Sequence, residues 1–97
     1  FVVAWHDASA NTINIQVNNG TADSTSYSSG VFDSAAETAI GAYKITSVGG
    51  LMNGRVDNTM FWKRTLTAAE RTALYNGGNG VDFGTVSFST AGSALEL

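Results

Sequence analysis

The 97-residue chain is 43% hydrophobic and 13% charged, with eleven glycines, no proline and no cysteine. Its net charge of −3 argues against a nucleic-acid backbone as partner, because that requires clustered Lys and Arg. Disulfides and thiolate chemistry are excluded. The single histidine rules out a multi-histidine metal site, and no apolar run approaches the ~20 residues of a membrane-spanning helix. A chain this apolar is not disordered, and one this rich in Gly, Ser, Thr and Asn is not a helical bundle.

Phe1-Val2-Val3-Ala4-Trp5 opens the chain as an apolar strand. An apolar strand with no polar lead-in exposes an edge that something must pair with; the expectation is a fragment of a longer protein. After a polar connection over 6–11, Thr12-Ile13-Asn14-Ile15-Gln16-Val17 alternates with period two, Ile13, Ile15 and Val17 on one face and Asn14 and Gln16 on the other. Asn18-Asn19-Gly20 suits the positive φ angles of a tight turn. The runs 1–5 and 12–17 therefore read as antiparallel neighbours.

Residues 21–30 read as a surface loop or an exposed edge strand, and Val31-Phe32 as a short apolar anchor. A short strand is predicted over 37–42, a turn over 47–50, and the longest strand over 51–62. In that last strand Asp57, Thr59 and Phe61 share one face, and Val56, Asn58, Met60 and Trp62 the other. One helix is predicted near 68–76. Thr67-Ala68-Ala69-Glu70 has the capping-box pattern, in which hydroxyl and carboxylate each satisfy the other residue's amide, and Gly77 or Gly78 supplies the left-handed stop. The helix is too short to stand alone, so Leu74 and Tyr75 must pack on the sheet. Arg71 sits where a hydrophobic staple wants an apolar partner for Leu66, which weakens that device. Residues 81–88 read as one more strand, followed by a tail.

Read in order, Phe1 to Asp7, Ile15 to Gly20, Ile40-Gly41-Ala42, Asn53 to Asp57, Trp62 to Glu70 and Leu74 to Gly78 resemble the second half of a laminin-G-like domain of the concanavalin A-like lectin/glucanase superfamily. The likeness covers about residues 1–80 and is most specific over Gly54–Tyr75. Thr59, Lys63 and Thr65 depart from its usual pattern. The resemblance implies an all-β, antiparallel jelly-roll sandwich that is incomplete in this chain, with one short α-helix. Residues 1–80 would form the C-terminal part of such a domain, and 81–97 a final strand or tail. A half-set of strands leaves an inner face bare, so the chain is expected to pack against a missing N-terminal half or another subunit.

Asp57 carries two readings: a buried acceptor for amides near the Thr65–Thr67 corner, or a calcium ligand completed from elsewhere, since calcium takes six to eight oxygens. Arg64 reads as structural, paired with Asp57 or Glu70 or capping carbonyls at the corner. His6 reads as a surface or half-buried aromatic; adjacent strand residues face opposite sides, so it forms no dyad with Asp7. Trp5 and Trp62 read first as core. Tyr27, Tyr43 and Trp62 are the candidate ligand-binding aromatics, able to stack on sugar rings. No paired carboxylates with glycosidase spacing occur, nor a phosphate-cradling glycine loop, so no enzyme is expected. The leading expectation is a non-catalytic, lectin-like glycan-binding module of a larger extracellular, secreted or particle-surface protein. The second is a structural or adhesion module of a viral particle or surface assembly, with neighbouring protein subunits as partners. Calcium is the one cofactor considered, and neither nucleic acid nor membrane insertion is expected.

Overall fold

The computed structural model describes residues 1–31, 33–35, 37–44 and 47–82. The anchor at Phe32 and most of the strand expected over 81–88 lie outside the described residues.

Two strands, β1 (Val2–Asp7) and β2 (Thr12–Val17), pair antiparallel, Val2 opposite Val17 and Asp7 opposite Thr12. The turn between them is made by side-chain chemistry. The Asp7 carboxylate accepts the amides of Ser9 and Ala10 at 2.9 and 3.0 Å, and Asn11 takes a φ of 53°. Asn18 and Asn19 carry φ values of 47° and 56° at the next turn, where the Gly20 amide donates to the Val17 carbonyl at 2.9 Å. Asn tolerates this left-handed region better than other residues with a side chain. The chain then returns as β3 (Asp23–Ser26), giving an antiparallel sheet of order β1-β2-β3. β3 is exposed throughout, so the segment 21–30 contains the edge strand.

The period-two alternation in β2 holds, but the covered face is the polar one. Gln16 is 8% exposed, while Ile13, Ile15 and Val17 are 42%, 45% and 52% exposed. Residues directly opposite each other share a face, so Val2, Ala4 and His6 join the isoleucines and Val17 on the open side. Phe1, Val3 and Trp5 lie with Asn14 and Gln16 on the side that the helix covers.

The strands predicted over 37–42 and 51–62 do not form. Two-residue strands β4 (Tyr43–Lys44) and β5 (Val48–Gly49) pair instead, β5 within the stretch 47–50 read as a turn. Residues 51–62 have no strand partner among the described residues, and they are exposed except at Met60 and Trp62. A strand needs a ladder to hold it extended, and Asn58, with a φ of 54°, interrupts the run.

Helix α1 (Ala68–Tyr75) forms as predicted with a complete capping box. The Thr67 hydroxyl accepts the Glu70 amide at 3.2 Å, and the Glu70 carboxylate accepts the Thr67 amide at 2.8 Å. The left-handed stop falls first on Asn76, with a φ of 48°, and continues through Gly77 and Gly78 in a short 3₁₀ turn. Leu66 and Leu74, 5% and 6% exposed, are the buried apolar side chains among the described residues, with Met60, Trp62 and Val81 packed against them.

Arg71 does the work that the staple would have done. Its guanidinium lies 4.4 Å from the centre of the Trp5 ring. Its Nε donates to Gln16 Oε1 at 2.8 Å, and another nitrogen donates to the Leu66 carbonyl at 2.6 Å. Gln16 in turn donates to the Gly20 carbonyl at 2.7 Å. The helix is thus held to the sheet by a stacked cation and a satisfied amide.

Candidate binding cleft

A cleft of about 810 Å³ runs between β1 and the extended segment 55–62. Phe1 to Ala4 form one wall and Arg55 to Met60 the other; Leu66, Leu74 and Tyr75 lie beneath, and Gly78 to Val81 close one end. The Asn58 amide donates to the Val81 carbonyl at 3.1 Å and fastens the far wall to that end. At the same end the Asn76 side chain donates to the Gly80 carbonyl at 2.8 Å. Phe1 and Tyr75 meet at a centroid separation of 5.7 Å, inclined at 49°, within the range of a favourable aromatic pair.

The predicted site residues do not come together. Trp62 lines the cleft, half-buried against the two leucines. Tyr27 lies elsewhere, edge-on to His6 at 6.0 Å and 84°. Tyr43 is exposed, its ring over Gly49 and Gly50, where a side chain at Gly50 would collide with it. His6 is half-buried.

Asp57 is corrected on one count: it is exposed on the cleft wall and is not a buried acceptor at the 65–67 corner. The corner is held by Arg64, whose two terminal nitrogens donate to the two Glu70 oxygens, each at 2.7 Å. The Arg64 hydrogen bonds, with help from the Thr67 amide, pull the Glu70 carboxyl down to about 2, and Glu70 raises Arg64 in return. Among the described residues no group of three or more His, Asp or Glu side chains converges on a possible metal position.

The cleft therefore mixes aromatic rings (Phe1, Trp62, Tyr75) with planar polar groups (Arg55, Asp57, Asn58, Asn79) over an aliphatic floor. Sequence reasoning missed Phe1, Tyr75 and Asn79 as a group. Phe1 and Tyr75 lie at opposite ends of the described chain, and no local pattern joins them. The chain matches no family model, no curated protein and no solved structure.

Proposed function

We propose that this chain is a non-catalytic assembly or adhesion module, of the laminin-G-like sandwich type, that works by closing onto another polypeptide. The observation that carries this is the inversion of β2: its polar face, together with Val3 and Trp5 of β1, is packed under α1, while Val2, Ile13, Ile15 and Val17 stand open to solvent. A contiguous apolar patch of this kind marks an interaction surface, and a jelly roll would cover it with a second sheet about 10 Å away.

A second reading, glycan recognition, is favoured by the chemistry of the cleft. Trp62 and Tyr75 offer faces for sugar C–H groups, and Asp57, Asn58 and Asn79 offer partners for hydroxyls. The setting consistent with either is an extracellular or particle surface. Calcium at Asp57 belongs to the glycan reading, as a bridge between wall and sugar.

Sedimentation over a concentration series, beside a glycan array, separates the two. The expected result is concentration-dependent association that Ile15→Lys with Val17→Lys abolishes, and no sugar bound. A chain that stays monomeric and retains a glycan, weakened by Asp57→Asn or Asn79→Ala, overturns the assembly proposal. A rise in melting temperature with calcium, absent in Asp57→Asn, would add the metal to that outcome.

A further inference from the structure

We infer that the outer edge of β1 is a strand-acceptor site, and that the cleft beside it receives an extended, uncharged, β-branched-rich segment of a partner protein by β-strand addition. This rests on the assembly reading above and names its partner's chemistry.

Hydrogen-bond parity decides which backbone groups of β1 face outward. The Asn18 amide donates to the Phe1 carbonyl at 2.9 Å, and the register places Phe1 opposite Asn18. In an antiparallel pair, residues that exchange backbone bonds alternate with residues that do not. Val3, Trp5 and Asp7 therefore bond to β2, and the N–H and C=O groups of Val2, Ala4 and His6 point away from it. The other side of β2 obeys the same parity: the Tyr27 amide donates to the Asn11 carbonyl at 2.7 Å, which turns the backbone of Ile13 and Ile15 toward β3.

β1 is an edge of the sheet, and among the described residues no strand pairs with its outer side. Its outward groups thus repeat every second residue, about 7 Å apart, a spacing that another strand matches. The opposite edge shows the contrast. β3 is four residues long, all polar and exposed, which is how proteins blunt an edge against pairing. β1 is apolar from Val2 to Trp5 and, among the described residues, uncovered along its outer edge.

The space fits the occupant. At 3.4 Å per residue a five-residue strand is about 17 Å long. The cleft alongside Phe1–Ala4 holds about 810 Å³. Side chains of the added strand on one face would settle over Leu66 and Leu74; those on the other would extend the open row begun by Val2 and Ala4. Both faces are apolar, so the fitting strand is apolar on both sides, as in strands buried within a sandwich. Arg55 and Asp57 on the far wall are of opposite sign, so neither a strongly acidic nor a strongly basic segment is selected. Strand addition draws affinity from main-chain bonds and specificity from alternate side chains.

The test uses the whole chain and a short blocked peptide alternating valine with threonine, followed by backbone amide exchange. Without peptide, the amides of Ala4 and His6 exchange freely while those of Val3, Trp5 and Asp7 are protected. With peptide, Ala4 and His6 become protected. Methylating the peptide amides on the edge that faces β1 weakens binding by about tenfold or more; methylating the opposite edge leaves it intact. Ala4→Pro removes an outward N–H without touching the β1–β2 ladder, a position where an edge strand tolerates proline, and it abolishes binding.

If the Ala4→Pro chain does not fold, the methylated peptides decide alone on the unaltered protein. Equal binding by both methylated peptides, or binding that leaves the Ala4 and His6 amides exchanging, overturns the edge site while leaving the open sheet face as the assembly surface. Protection of those amides that rises with protein concentration and needs no peptide overturns the foreign partner in favour of a second copy. No binding, together with a glycan that fills the cleft, overturns both proposals.

Discussion

Arg71 shows how one side chain can stand in for a missing apolar contact. It stacks on Trp5, and its donors satisfy Gln16 Oε1 and the Leu66 carbonyl. Truncating it strands a largely buried amide oxygen, and the cost is that of leaving the acceptor unpaired, more than that of losing one bond. Arg71→Met should lower stability by about 2 kcal/mol, read as a shift in the urea midpoint at constant slope. Arg71→Lys should restore only part of it, because a single ammonium does not reproduce a planar fork that stacks and donates in two directions. A midpoint unchanged in Arg71→Met would mean that the helix is held by other contacts. Glu70 adds a pH dependence of definite sign. Its carboxyl sits at about 2 when folded, against an ordinary value of 4.5, so between these the unfolded chain binds the extra proton. The stability it contributes is complete above about pH 4.5 and is lost as pH falls toward 2. Melting curves across that window should show the decline in the unaltered chain and a flatter profile in Glu70→Gln. Equal slopes in both would remove Glu70 as the source.

At the level of elements, legibility followed how local the determining physics was. The helix was readable because Thr67 and Glu70 settle its start within four residues, and the β1–β2 pairing because alternation and asparagine turns are local too. β2 disclosed its two faces but not which one would be covered; that depended on where α1 landed, a matter of Arg71 meeting Trp5 and Gln16 from far along the chain. The run over 51–62 has strand composition, yet strand formation is decided by a ladder partner, which composition does not reveal. For the same reason the cleft was illegible, since its walls come from segments more than fifty residues apart. The inversion of β2 has a direct consequence for mutation. Ile15→Thr in the dilute chain should change stability by no more than about 0.5 kcal/mol. Leu74→Ala, which empties half of the small buried cluster, should cost about 2 kcal/mol or more. Chemical denaturation of both variants checks the contrast; a loss at Ile15 that rivals the one at Leu74 would mean that the isoleucine face is covered.

For the molecule as a whole, the open face and the open edge are two aspects of one arrangement. β2 has committed its polar face to the helix beside Val3 and Trp5 of β1, and Val2, Ile13, Ile15 and Val17, which would ordinarily help form a core, are left outward. Leu66, and Leu74 on α1, stabilise the fold by about 1.5–3 kcal/mol each, and among the described residues no other apolar side chain is as fully covered. Covering the open face would supply burial that the chain does not supply for itself, so association and stability should be coupled through mass action. A hydrophobic dye should therefore bind the dilute chain in its folded state, at temperatures where the Trp5 environment is still native. Ile15→Lys with Val17→Lys should remove most of that dye signal and raise the concentration at which the protein stays dispersed, while far-ultraviolet circular dichroism and the pH response of Glu70 stay as they were. The acceptor edge should be untouched by this pair, because the β1 backbone groups lie in the plane of the sheet and not on its face. Dye binding that persists in the double variant would relocate the exposed apolar surface to residues 51–62.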